Sequence, residues 1–302
     1  MSYREDEKRW KRIQDMLAAE ASGKTLRPTV SQRTLFGIPS TMEQTIDRIV
    51  AEDEEARRMK RIEQQLEKLL ETVPVEAGAQ AFDVPDVVAL ERTIDAAGTP
   101  LAELMDRAGT ALARRVHAAH PEARVAVLCG NGNNGGDGWV AARALSGWGH
   151  NVALATLRTA DELNAQPAHD TAVAIAPVLA ERGVNVLVNP ADDEVSAMLA
   201  DADVIIDALL GTGFTGQTVK EPFDRWINMA NERHAQGAFT VAADAPSGLN
   251  AQTGTASEPC EQADETVTMI VVKTGLLAPE AAAYCGSLFV APLIDIEPYL
   301  SA

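Results

Sequence analysis

Cysteine is scarce. Cys129, Cys260 and Cys285 are the three in a chain of 302 residues, and no two stand at C-x-x-C spacing. Buried free thiols in a reducing compartment are the expectation, and Cys129 closes an apolar strand, which argues against a catalytic thiol there. The five histidines (His117, His120, His150, His169 and His234) are scattered and have no cysteine partners, so zinc lacks a ligand set. Basic side chains are also short in number, 26 Lys and Arg against 44 Asp and Glu. The net charge of -18 excludes nonspecific nucleic-acid and anionic-membrane binding, both of which need basic surface. No apolar run reaches membrane-spanning length, and residues 1–8 are too charged for a signal peptide. A cytoplasmic protein with no membrane or nucleic-acid partner is expected.

What is present is a chain long enough for one large domain or a domain with an appendage, with an ordinary hydrophobic content of 46%. Residues 1–80 read as a helical N-terminal extension and linker. Residues 4–21 form a charged helical pattern with Trp10, Ile13, Met16 and Leu17 on one side, followed by a loop with Pro28, Gly37 and Pro39. Ser40-Thr41-Met42-Glu43 then has the S-x-x-E capping-box pattern that starts helices. This second helix is expected to run through Leu70, with Ile62, Leu66, Leu69 and Val73 as an apolar stripe; Pro74 and Gly78 mark the linker. The stripe packs on its own domain or on a partner helix, and a homodimer is expected.

Residues 81–302 alternate helices with short β-rich runs. Strands are expected at 125–129, 151–157, 185–188, 204–206, 239–243, 266–272 and 288–290. Helices are expected at 87–97, 100–119, 139–148, 167–182, 193–199 and 221–234. Apolar strands interleaved with helices indicate an α/β class: a Rossmann-like three-layer α/β/α sandwich with a mostly parallel central sheet.

The first strand runs into Gly130-Asn131-Gly132-Asn133-Asn134-Gly135-Gly136-Asp137-Gly138, then a helix from Trp139. Glycines free the backbone for positive φ, and converging amides with a helix N-terminus hold an anion. Gly130, Gly132 and Gly135 satisfy G-x-G-x-x-G, a weak signal alone. The second strand ends in Arg158 and Thr159 rather than the acidic residue that a dinucleotide fingerprint wants. Asn133, Asn134 and Asp137 add amides and a carboxylate, which suit a cation or a polar ring.

Three further strands run into polar or glycine-rich segments: Asp207-Ala208-Leu209-Leu210-Gly211-Thr212-Gly213-Phe214-Thr215-Gly216, Asp244-Ala245-Pro246-Ser247-Gly248-Leu249, and Lys273-Thr274-Gly275. In a parallel sheet the carboxyl ends share one edge, where open α/β sheets bind ligands. Asn133, Asn134, Asp137, Asp207, Asp244, Ser247 and Lys273 are therefore expected to face one crevice. Each residue also has a structural reading: Asp137 as a helix N-cap, Asp207 and Asp244 as Asx-turns, Ser247 as a turn residue, Lys273 as a solvated strand end. Asn134, Asp207, Ser247 and nearby carbonyls offer oxygen donors with one charge, a set that favours a large monovalent cation such as K⁺ over Mg²⁺.

Residues 132–138, 207–213 and 244–249 together resemble the NAD(P)H-hydrate epimerases of the YjeF N-terminal domain family. Leu104-Met105-Asp106-Arg107-Ala108-Gly109 is similar to that family's early helix motif, with Asp106 where glutamate is usual, and 266–273 to its late strand. The resemblance covers residue 82 to the C-terminus; 1–80 have no counterpart in it. It implies an isomerase that interconverts the R and S hydrates of NADH and NADPH. Asn133, Asn134, Gly135, Gly136, Asp137, Gly211, Thr212, Gly213, Phe214, Thr215, Gly216, Gln217 and Asp244 would contact the substrate. Asn134, Asp207 and Ser247 would be the potassium ligands, and a separate dehydratase would act downstream. Epimerisation needs a proton donor and acceptor but no redox change. Asp244 is the first candidate for this step, with Asp137 or Lys273 second; a cleft raises a carboxylate's pKa toward neutrality, whereas an adjacent K⁺ lowers it. The cation is accordingly expected nearer the diphosphate or Asp207. One rival is a non-catalytic dimerisation or scaffold module, a role that a relative in an mRNA-decapping factor plays; Asp137, Asp207 and Asp244 together favour catalysis. An NADP-linked oxidoreductase is the other, and it lacks a Tyr-x-x-x-Lys pair.

Overall fold

The structure, a computed structural model, describes residues 40–300. In chain order its principal helices are α1 (Ser40–Leu69), α2 (Val84–Ala96), α3 (Leu101–Ala119), α4 (Asn133–Gly147), α5 (Ala168–Glu181), α6 (Asp192–Ala200) and α7 (Phe223–Ala235). The strands are β1 (Val73–Pro74), β2 (Ala81–Phe82), β3 (Val125–Cys129), β4 (Val152–Thr156), β5 (Asn185–Val188), β6 (Val204–Ala208), β7 (Phe239–Ala243), β8 (Glu265–Met269), β9 (Val272–Lys273) and β10 (Ser287–Ala291). Two compact units divide between Gln64 and Gln65, and the second carries the sheet. The helix expected over 4–21 and the loop after it lie outside the described residues. Helix α1 starts at Ser40, where the capping-box sequence begins. Val73 is not on its stripe but pairs, with Pro74, antiparallel to β10. A proline is tolerated there because β1 is an edge strand.

Why these residues make a two-faced sheet is visible in β3. Val125, Val127 and Cys129 join the core on one face, Ala126 and Leu128 the core on the other, as the period-two geometry of a strand requires. The same division runs through β6, with Val204, Ile206 and Ala208 on the first face and Ile205 on the second. Buried residues of α3, α4 and α5 cover the first face, and those of α6 and α7 the second. A strand covered on both sides is apolar throughout, which is why β3 and β6 read as continuous runs rather than alternating ones.

The strand order is β1-β10-β8-β7-β6-β3-β4-β5, parallel throughout except for β1. Counted from β3, this is the doubly wound order 3-2-1-4-5-6 with β10 added beyond it. The order reverses between β3 and β6, so the loops leaving their carboxyl ends diverge and leave a crevice. The strand expected over 266–272 is two pieces, β8 and β9, parted at Ile270, whose φ is 65°. β9 leaves the main sheet and pairs parallel with β2, Phe82 opposite Lys273. Among the described residues no helix is long and apolar enough to cross a membrane.

Candidate active site

The glycine segment folds differently from its sequence expectation. Helix α4 starts at Asn133, with Gly132 at its N-cap position, so Asn133 to Asp137 form the first turns of a helix and not an extended loop. Asp137 is therefore no N-cap. None of Gly130, Gly132, Gly135, Gly136 or Gly138 has a positive φ. Their role is close approach: a Cβ on Gly135 would collide with the Gly130 carbonyl, one on Gly136 with Met105, and one on Gly138 with Cys129 and Ala208. The helix is thereby seated on β3 and β6. Its first amides lack intrahelical acceptors, and they open at the switch point.

Asp207, near the end of β6, is fully buried. Ser247, from the loop after β7, donates from its backbone N to Asp207 Oδ2 (2.7 Å) and from Oγ to Oδ1 (2.5 Å), and its Oγ accepts from Leu210 N (2.8 Å). These bonds lock the loops after β6 and β7 together. Burial pushes the Asp207 carboxyl up to about 6, against hydrogen bonds from Ser247 and Leu209 that lower it. Asn134 packs beside Gly211, where a Cβ would meet its side chain at 3.1 Å. Both polar atoms of the Asn134 amide are buried without a hydrogen-bond partner. Such a group costs stability unless a bound species completes it. The donor chemistry here (amide, carboxylate, hydroxyl and carbonyl oxygens) fits a monovalent cation.

Asp244 follows β7 with φ 64°, in the left-handed region. Its Oδ1 accepts from Lys273 Nζ (2.5 Å), Met269 N (3.2 Å) and Thr268 Oγ1 (3.3 Å). Lys273, 2% exposed, also donates to Thr268 Oγ1 (3.1 Å) and Met269 O (2.8 Å), so its three donors are engaged. It is a buried support and not a solvated strand end. Burial raises the Asp244 pKa, but the Lys273 charge and hydrogen bonds from Lys273, Met269 and Thr212 outweigh it, and the carboxyl is held below its ordinary value. The raised pKa expected at Asp244 is found instead at Asp137. There burial comes first, the charges of Asp244 and Glu91 add to it, and Lys273 opposes it.

A cleft of about 700 Å³ opens over these groups. Asn133, Asn134, Asp137, Gly211, Thr212, Gly213, Phe214 and Asp244 line it. Asp207, Ser247 and Lys273 do not; they lie buried beneath it. Gly135 and Gly136 are used up in packing, and Thr215, Gly216 and Gln217 are exposed outside it. Glu91 is the residue sequence reasoning missed. Val84, Val88 and Glu91 stand at i, i+4, i+7 on α2, and all three line the cleft. A glutamate continuing an apolar helical stripe was the available signal. Leu101, Leu104, Met105 and Ala108 of α3, with Met269, Ile270 and Leu293, supply an apolar wall.

A family model described as YjeF-related protein N-terminus matches residues 101–275. The chain belongs to the YjeF N-terminal family. A relative from Limosilactobacillus fermentum, named NAD(P)H-hydrate epimerase, is 36% identical over 200 residues, covering 66% of this chain and 89% of its own. The protein named bifunctional NAD(P)H-hydrate repair enzyme Nnr from Coxiella burnetii is 37% identical over 217 residues, 70% of this chain but 41% of its own; its Escherichia coli namesake is 39% identical over 195 residues, 64% and 35%. The chain thus spans less than half the length of these bifunctional relatives. The solved yeast protein ynu0 superposes with a TM-score of 0.59 at 21% identity, covering 70% of this chain and 87% of its own, and shows the same fold.

Proposed function

We propose that this chain is an NAD(P)H-hydrate epimerase, an isomerase that interconverts the R and S hydrates of NADH and NADPH. The observation that carries the reading is one cleft at the sheet's carboxyl edge where Asp137, whose pKa burial raises, and Asp244, bonded to Lys273, face an apolar wall. The names of the relatives, at 36 and 37% identity, support the same substrate. In this reading the free amides at the start of α4, with Asn133, take the diphosphate, and Gly211 to Phe214 flank the dinucleotide. The nicotinamide-derived ring lies on Leu104, Met105 and Ile270.

The hydrate carries its hydroxyl on C6, next to ring N1. Protonated Asp137 gives its proton to that hydroxyl; the C6–O bond breaks with its electron pair, water leaves, and the N1 lone pair forms N1=C6. Asp244, kept ionised by Lys273, faces the resulting positive charge. Water then bonds to C6 from the opposite face and gives up one proton to the cleft, balancing the one Asp137 released, as the π pair returns to N1. No electron is gained or lost overall. Asn134, Asp207, Ser247 and the Leu210 carbonyl would hold K⁺, which supplies positive charge beside the diphosphate. A dehydratase would consume the epimer produced.

The test is epimer-resolved chromatography of a single purified NADPH-hydrate epimer incubated with the protein in K⁺ and in Li⁺ buffers. Approach to the epimer equilibrium well ahead of the spontaneous rate, faster in K⁺, is expected. A rate equal to the protein-free control would remove the assignment and leave the scaffold reading.

A further inference from the structure

Among the described residues, Glu91 is the one carboxyl lining the cleft that the mechanism above leaves idle. It stands on α2, and that helix is fixed to the site. The Asp83 carboxylate just before it accepts from Gln252 Nε2 (2.9 Å) and Thr274 Oγ1 (2.8 Å), while Gln252 Oε1 accepts from Val84 N (2.6 Å). Thr274 directly follows Lys273, so the start of α2 is tied to the support of Asp244. Val87, Leu90 and Ile94 bury the helix's other face. Glu91 is thereby held over the same hollow as Asp137 and Asp244.

Inverting C6 demands more than one proton handler. The departing hydroxyl must receive a proton on one face, and the returning water must give one up on the other. Asp137 comes from the start of α4 and Glu91 from α2, two different elements that both line the cleft. Asp244 is committed as an anion to Lys273. Resting on the epimerase reading, we propose that Glu91 is a second catalytic residue, the base that takes the proton from the water adding to C6 while Asp137 serves as the acid. The O–C6 bond forms from a water lone pair, the proton passes to a Glu91 oxygen, and the N1=C6 π pair returns to N1. For the opposite epimer the two carboxyls exchange roles. The charges around Glu91 fit this division. Burial and the Asp244 charge raise its pKa and Lys273 lowers it, and Glu91 in turn raises Asp137. Like charges in one cleft disfavour joint ionisation, which favours a state with one acid and one base. Arg92, beside Glu91 on α2, is the other charged group on the cleft.

The experiment compares wild type, Glu91→Gln and Glu91→Asp with single-epimer NADPH hydrate. It reads kcat across pH by chromatography and hydrate affinity by calorimetry. Glu91→Gln is expected to lose about 100-fold or more in kcat, to keep its affinity within about threefold, and to lose the limb of the pH profile that rises with pH. Glu91→Asp is expected to restore that limb at reduced kcat. Wild-type kcat with both limbs intact in Glu91→Gln overturns the proposal, as does a loss confined to affinity. If Glu91→Gln does not fold, Glu91→Asp decides: a lowered kcat with both limbs supports the base, and a wild-type kcat overturns it. An inert wild type sinks the epimerase reading itself, whereas an active wild type matched by Glu91→Gln sinks Glu91 alone.

Discussion

Asp244 combines a positive φ with a buried charge, and each is costly for a non-glycine residue. Ile270, with φ 65°, and Leu293, with φ 61°, line the same cleft, so backbone strain collects where the chemistry is placed. The Lys273–Asp244 pair offsets its own desolvation only while complete. Lys273→Met leaves an unpaired buried carboxylate and is expected to cost about 3–5 kcal/mol, read as a fall in denaturant midpoint; adding Asp244→Asn should restore part of it. An unchanged midpoint in Lys273→Met would show that the pair supports nothing. Asp137 carries the opposite sign. Its folded pKa is raised, so the stability it contributes is full below its unfolded value and is lost as pH rises through the folded one. Asp137→Asn should therefore gain on wild type in melting temperature as pH rises above the ordinary carboxylate range, while its epimerisation rate drops about 100-fold. A melting difference that does not change with pH would contradict the raised pKa. At this scale the sequence named Asp137, Asp207, Asp244 and Lys273 but not their division of labour. Which carboxyl keeps its proton depends on where the Lys273 ammonium lands, and that is a tertiary fact.

At the scale of elements, strand-then-helix at 125–147 was legible from the apolar run and the glycines, but the glycines' purpose was not. Sequence composition cannot separate a glycine needed for φ from one needed for close approach. Here Gly135 lies against the Gly130 carbonyl, and that contact exists only once α4 sits on β3. Gly135→Ala is expected to destabilise by about 2 kcal/mol or more through overpacking and to weaken hydrate binding. Gly132→Ala, with nothing within 4 Å of the new Cβ, should lose only the smaller N-cap preference for glycine over alanine. Equal melting temperatures for the two variants would refute the close-approach account. The split of 266–272 was equally hidden, because nothing in Thr-Val-Thr-Met-Ile-Val-Val marks Ile270 as the break. β-branched residues predict extension, and the φ of 65° is imposed by β9 leaving to pair with β2.

For the whole molecule, the parallel α/β architecture followed from apolar strands alternating with helices, whereas the strand order did not. β4 and β5 lie on one side of β3, and β6, β7, β8 and β10 on the other. Those crossovers depend on which face each helix covers. The ordering makes the site, since the switch point between β3 and β6 brings Asn134 beside Gly211, and β7 next to β6 brings Asp244 into the same hollow. Asp207 and Ser247 were expected on that surface and are found beneath it, where their mutual bonds tie two loops together. The most direct measurement is a crystal structure of the protein with hydrated NADPH bound. The account predicts the diphosphate at the start of α4 beside Asn133 and Asn134, with the hydrated ring carbon within hydrogen-bonding reach of Asp137 and the ring against Met105 and Ile270. A dinucleotide seated at the amino edge of the sheet, or a ring turned away from Asp137 and Asp244, would contradict it.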